Sequence, residues 1–136
     1  MKIIVIDGQG GGIGRSIVER LKAEIPSAVI IAVGTNSLAT AAMLKAGADA
    51  GATGENAVLY NCVDADVIAG PMGIILANAM LGEISPAIAG AVSGSKAEKV
   101  LVPVSTCRVC VAGGEDKPMS KYIELAVAAV KRLYQD

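Results

Sequence analysis

The chain has 136 residues, enough for one domain that buries roughly two-thirds of the surface its unfolded form exposes, and 53% of them are hydrophobic although Trp and Phe are absent. Its 12 Lys and Arg, against 13 acids, are scattered, so it carries neither a basic footprint for nucleic acid nor aromatic platforms for stacked bases. The lack of any histidine excludes Ser-His-Asp triads, Cys-His pairs, imidazole general bases and ordinary zinc sites together.

Lys2 to Ile6, "KIIVI", is a continuous apolar run, the pattern of a strand buried on both faces of a parallel sheet. After a glycine run, Ile13, Ile17, Leu21 and Ile25 fall at four-residue spacing, with Arg15, Glu19, Arg20, Lys22 and Glu24 on the other side. That spacing predicts an amphipathic helix lying on the sheet. Pro26 and Ser27 close it, and Ala28 to Gly34 reads as a second buried strand. Asn36 or Ser37 is placed to cap a second helix that stops at Gly47.

Residues 48–57 then read as a polar, glycine-containing loop, "VLYNC" (Val58 to Cys62) as a third strand and "VIAG" (Val67 to Gly70) as a fourth. Met72 to Leu81 reads as an apolar helix ending at Gly82 and as the expected dimer surface; Ser85 followed by Pro86 starts another short helix. Lys99 to Val104 and Arg108 to Gly113 are read as two more strands, Pro103 marking the first as an edge or as cut short. Met119, Ile123, Val127, Val130 and Leu133 form one stripe of a C-terminal helix.

Strands alternating with helices predict an α/β protein, a three-layer Rossmann-like fold whose mostly parallel sheet carries helices on both faces. Residues 1–136 are expected to form a single nucleotide-binding domain. In such sheets ligands bind beyond the carboxyl ends of the strands. The glycine run, "GTNS", "TGEN" and "GPMG" are expected on that edge, "TGEN" only if the third strand starts elsewhere than Val58.

Five of the seven residues from Gly8 to Gly14 are glycine, which is entropically costly unless something must approach the main chain. Amides at such a turn, opening a helix, suit phosphate. The spacing of Gly8, Gly12 and Gly14 resembles the glycine motif of short-chain dehydrogenases: Gly8 for the turn, Gly12 for the approach of pyrophosphate, Gly14 for helix packing. NAD(P) is the cofactor that this spacing suggests. "GGGIGRS" (Gly10 to Ser16) also looks like a variant phosphate loop of partitioning ATPases, with Arg15 where lysine is required. The dinucleotide reading lacks the carboxylate expected about twenty residues on, where the chain has Thr35, Asn36 and Ser37. The residues expected around a cofactor are Gly8, Gln9, Gly10, Gly11, Gly12, Ile13, Gly14, Thr35, Asn36, Ser37, Gly70 and Pro71. A third reading has these glycines serving only to pack the first helix.

Asp7, directly before the loop, repels phosphate unless it bonds the loop's own amides, a sugar hydroxyl or a metal. Asp7 and Glu55 are the carboxylates considered for acid or base work, and no metal site is expected. Cys107 and Cys110 have Cys-x-x-C spacing without a histidine or a second pair, and read as buried structural thiols. No Tyr-x-x-x-Lys pair is present, so hydride-transfer residues are not recognisable and the question of an enzyme stays open. A regulatory or interaction protein, working as a homo-oligomer, remains the alternative. The opening apolar run is too short for a signal-peptide core, and Gly70-Pro71, Glu83 and Ser85-Pro86 break the longest apolar stretch. With an odd number of thiols, three, this points to a cytoplasmic protein that does not span a membrane.

The segments "IIVIDGQGGGIG", "AVGTNSLATAAMLKAGADAGATGENA" and "DVIAGPMGIILANAMLGEISP" resemble a small family of bacterial proteins, common in anaerobic Firmicutes, that is described as a domain of unknown function. The resemblance covers nearly the whole chain. It implies a bacterial cytoplasmic protein with a Rossmann-like fold and supplies no catalytic residue.

Overall fold

The computed structural model describes residues 1–135 and contains five strands: β1 (Lys2–Asp7), β2 (Val29–Gly34), β3 (Ala50–Thr53), β4 (Val67–Pro71) and β5 (Glu98–Val102). They form one sheet in the order β3-β2-β1-β4-β5, and every pairing is parallel. Ile3 sits between Ile30 and Val67, so the apolar run of β1 lies at the centre of the sheet, where neither face meets water.

Alternation along β1 divides the core in two. Ile3 and Val5 face a cluster built with α1 (Gly12–Glu24), α2 (Ser37–Lys45) and α5 (Met119–Gln135). Ile4 and Ile6 face a second cluster built with α3 (Glu55–Cys62) and α4 (Pro86–Ser93). The result is a three-layer Rossmann-like α/β fold. The four-residue spacing in α1 places Ile17 and Leu21 at zero exposure, while Arg20 and Glu24 pair on its outer side. Asn36 caps α2 by accepting the Ala39 amide at 2.9 Å, and the Ser85 hydroxyl accepts the Ile88 amide at the start of α4. No helix among the described residues is long and apolar enough to cross a membrane.

Three expected elements are replaced. The strand expected at Val58 to Cys62 is the helix α3, because Val58 and Cys62 recur four residues apart and bury together against α4. The third strand is instead "AGAT", whose small residues are required: a Cβ on Gly51 would lie 2.9 Å from Leu44 Cγ of α2. The helix expected over Met72 to Leu81 is a 3-10 turn, Met72–Ile75, followed by a folded strap. The strap closes at its base, where the Asn78 amide donates to Ile84 O and the Ile84 amide to Ala79 O, and it is anchored by two fully buried residues, Ile74 in the turn before it and Ile84 at its far end. With no helix there, the dimer surface expected on Met72 to Leu81 loses the helical face it was assigned to. Finally, "RVCVAG" forms no strand. β5 is already the sheet edge and stops at Val102 before Pro103, and the chain then runs in turns across the carboxyl ends to reach α5.

Candidate functional site

The sheet order reverses between β1 and β4, and the loops that follow these two strands diverge to opposite faces. A crevice must open there. It holds a cavity of about 690 Å³ lined by the glycine loop from Gly8 to Ile13, by Pro71 and Gly73 after β4, by the strap from Leu76 to Leu81, and by Val104, Thr106, Cys107 and Arg108 after β5. That volume is in the range of small-molecule sites.

Asp7 forms the floor. It is almost fully buried, its two oxygens accepting the Gly8 and Gly14 amides, each at 2.7 Å. The carboxylate thus binds the loop's own amides and pins the turn to the start of α1. Burial pushes its pKa up, a shift that the Gly14 and Gly8 amides oppose and the charge of Glu83 reinforces.

The glycines divide by what surrounds them. A Cβ on Gly14 would lie 2.6 Å from Met43 Sδ and 2.8 Å from Asp7 Cβ, so Gly14 serves helix packing. Gly11 has φ +72 and presses on the backbone of Ala39. Gly8 is overlaid by the strap, with Met80 Sδ and Thr35 Oγ1 each 2.7 Å from its notional Cβ. Gly10 and Gly12 differ: a Cβ on either meets nothing within 4 Å, and neither has a left-handed backbone. Among the described residues, neither of their amides has an acceptor. Nothing in the fold requires these two to be glycine, and both border the cavity.

Other expected residues lie outside it. Gly70 packs on β1, its notional Cβ 2.2 Å from Ile6 O, whereas Pro71 beside it does line the cavity. Gly14 is behind the loop, and Ser37 is exposed in the first turn of α2. Thr35 and Asn36 are engaged by a residue the sequence reading passed over. Glu83 Oε1 accepts the Thr35 hydroxyl at 2.6 Å and, at 2.9 Å each, the Gln9 amide and Asn36 Nδ2. These three donors, Thr35 foremost, hold the Glu83 carboxyl below the ordinary range. The carboxylate expected at the end of β2 is therefore supplied from the strap.

Glu55 has a partner of its own. It opens α3 after the carboxyl end of β3, where its Oε1 accepts the Ser85 hydroxyl at 2.5 Å, and it does not line the cavity. Arg15 is exposed on α1 and not part of the lining, which removes the phosphate-loop reading's cation from the site. Asp64 and Asp66 bind Lys2 at the opposite end of the sheet. Cys107 and Cys110 are not the buried thiols expected: Cys107 is half-buried in the cavity wall and Cys110 is exposed, whereas Cys62 is buried.

Backbone strain marks the same place. Among the described residues, those other than glycine with left-handed backbone are Gln9, Asn78, Met80, Leu81 and Arg108, and all five line the cavity. Each costs on the order of 1–3 kcal/mol and persists only where surrounding structure enforces it. The only sequence traces of the strap are Asn78 and Gly82, two turn formers inside an apolar run. Met80 and Leu81 carry no such signal, and neither does Arg108.

Nothing among curated proteins matches the chain. Among solved structures, the dodecameric FMN-dependent Ubix-like decarboxylase from Escherichia coli O157:H7 aligns with 98% of this chain and 76% of its own, at 19% sequence identity and a TM-score of 0.46. Residues 2–135 match the family described as a domain of unknown function (DUF3842), and the chain belongs to that family.

Proposed function

We propose that the crevice binds a nucleotide, with a phosphate on the amides of Gly10 and Gly12 and the remainder along the apolar walls of the strap and Val104. The observation that carries this reading is the pair Gly10 and Gly12: bare, without acceptors, and without a packing reason to be glycine. Gly12 opens α1 and Gly10 directly precedes its cap, Gly11, at a helix N-terminus that favours an anion. Arg108 lines the same cavity and, among the described residues, forms no ion pair, so a cation is available to the phosphate. Mononucleotides and dinucleotides, NAD(P) among them, share the phosphate that this site would take, and a cytoplasmic small-molecule-binding protein is the setting we propose.

Thermal unfolding with AMP, nicotinamide mononucleotide, FMN, NAD⁺, NADP⁺, FAD and ATP tests it. A ligand at ~100 times its Kd adds about 2.7 kcal/mol, raising the midpoint by roughly 3–6 °C in a domain of this size. Gly12→Val abolishes that shift with little change in the midpoint of the free protein, since the valine side chain enters open space. Bound nucleotide also slows alkylation of Cys107, which shares the cavity wall. No shift with any nucleotide, or an unchanged shift in Gly12→Val, overturns the reading.

A further inference from the structure

A dinucleotide in a fold of this kind runs across the glycine loop, its adenosine ribose at the carboxyl end of β2 and its other half over β4. In this chain the β4 half of that path is the open cavity, while the β2 half is filled. Met80 lies over Gly8, and Glu83 occupies the end of β2, taking the hydroxyl of Thr35, the amide of Asn36 and the main-chain amide of Gln9. Asn36 further donates to Gln9 O at 2.9 Å, so strap, glycine loop and β2 are joined at one point. None of Thr35, Asn36 and Glu83 lines the cavity.

Resting on the nucleotide reading above, the geometry points to Glu83 as a specificity-determining latch, holding the strap over Gly8 so that the site accepts mononucleotides and rejects dinucleotides. The strap is poised to matter in this way. Asn78, Met80 and Leu81 all carry left-handed backbone, Leu81 is 98% exposed, and Glu83 supplies the bonds that tie its far end to the glycine loop and to β2. Occupied space, together with polar groups already paired within the chain, is one means by which a site excludes the larger of two related ligands. It also accounts for Thr35 and Asn36: their polar groups, which a ribose would use in a dinucleotide site, are satisfied from within the chain.

The test compares matched pairs, AMP and nicotinamide mononucleotide against NAD⁺, and FMN against FAD, by calorimetry on the full chain, its Glu83→Ala variant and Thr35→Val as a milder second variant. The amide exchange rate of Gln9 is measured alongside as a ligand-free report on the latch. In the wild type, at least one mononucleotide binds about tenfold or more tightly than its dinucleotide. In Glu83→Ala the ratio falls to about threefold or less through a gain in dinucleotide affinity, Thr35→Val lies between, and the Gln9 amide exchanges faster in both. Equal binding of mononucleotide and dinucleotide by the wild type overturns the proposal and leaves the nucleotide reading standing. So does an unchanged ratio in variants whose Gln9 amide has been released. Failure of all five nucleotides to bind overturns the proposal, and failure of NADP⁺ and ATP as well overturns the nucleotide reading with it.

Discussion

Three thiols in one small chain meet three environments, and reactivity follows from them. Burial pushes the Cys62 thiol up to about 11, with Lys2 and Lys99 only partly opposing, so thiolate is scarce at neutral pH. Cys107 is half-buried with its thiol donating to Val104 O at 2.8 Å, and Cys110 is exposed. Titration of the native protein with a thiol-disulfide reagent near neutral pH should give two reacting thiols and a third only after unfolding; three fast thiols would place Cys62 wrongly. Asp7 is equally local in its effect. Asp7→Ala leaves the Gly8 and Gly14 amides without their buried acceptor, and stability in urea should fall by about 1–3 kcal/mol. These four residues stand out in the sequence, but their roles do not, because a side chain's partners lie far along the chain or follow from a turn's shape.

At the scale of elements, helices are legible by a long apolar stripe, as in α1 and α5, or by a cap, as at Asn36 for α2 and at Ser85-Pro86 for α4. α1 and α5 each bury residues at four-residue spacing against the same side of the sheet, and periodicity over three or more turns leaves little ambiguity. "VLYNC" was misread because five residues of strand-favouring composition can also present Val58 and Cys62 on one helical face. The strap is the other case: an apolar run that would pass for a buried helix turns back on itself between Ile74 and Ile84. Its latch carries a pH dependence. Glu83's pKa is lowered in the folded state, so the stability it contributes is complete above the ordinary glutamate range and is lost as pH falls through the lowered value. Asp7, facing the same loop, runs the other way, since its raised pKa makes ionisation a cost that acidification removes. The Gln9 amide resonance should therefore titrate below the ordinary glutamate range while the fold persists; a midpoint at or above that range would mean that Glu83 gains nothing from its three donors.

The whole molecule is one sheet with two cores, and its cooperativity follows from the strands they share. Ile6 and Ile17 lie in opposite cores, on either side of the sheet, with β1 common to both. Ile6→Val and Ile17→Val should each cost about 0.5–1.5 kcal/mol, and the double variant should lose their sum within ~0.5 kcal/mol because the two belong to separate core clusters. We expect calorimetry to show one transition throughout, the behaviour of a single domain; two separable transitions would divide the chain. The sequence by itself determined the α/β class, the buried central strand, the flanking helices of the first core and the glycine loop, because these follow from hydrophobic period and from glycine's lack of a side chain, both local properties. Only the tertiary structure decided which glycines pack and which stand open, that Arg108 and the strap wall the crevice, and that Glu83 occupies the end of β2. Those facts depend on contacts between residues as much as 74 positions apart, as Gln9 and Glu83 are, and on backbone conformations that side-chain identity does not announce.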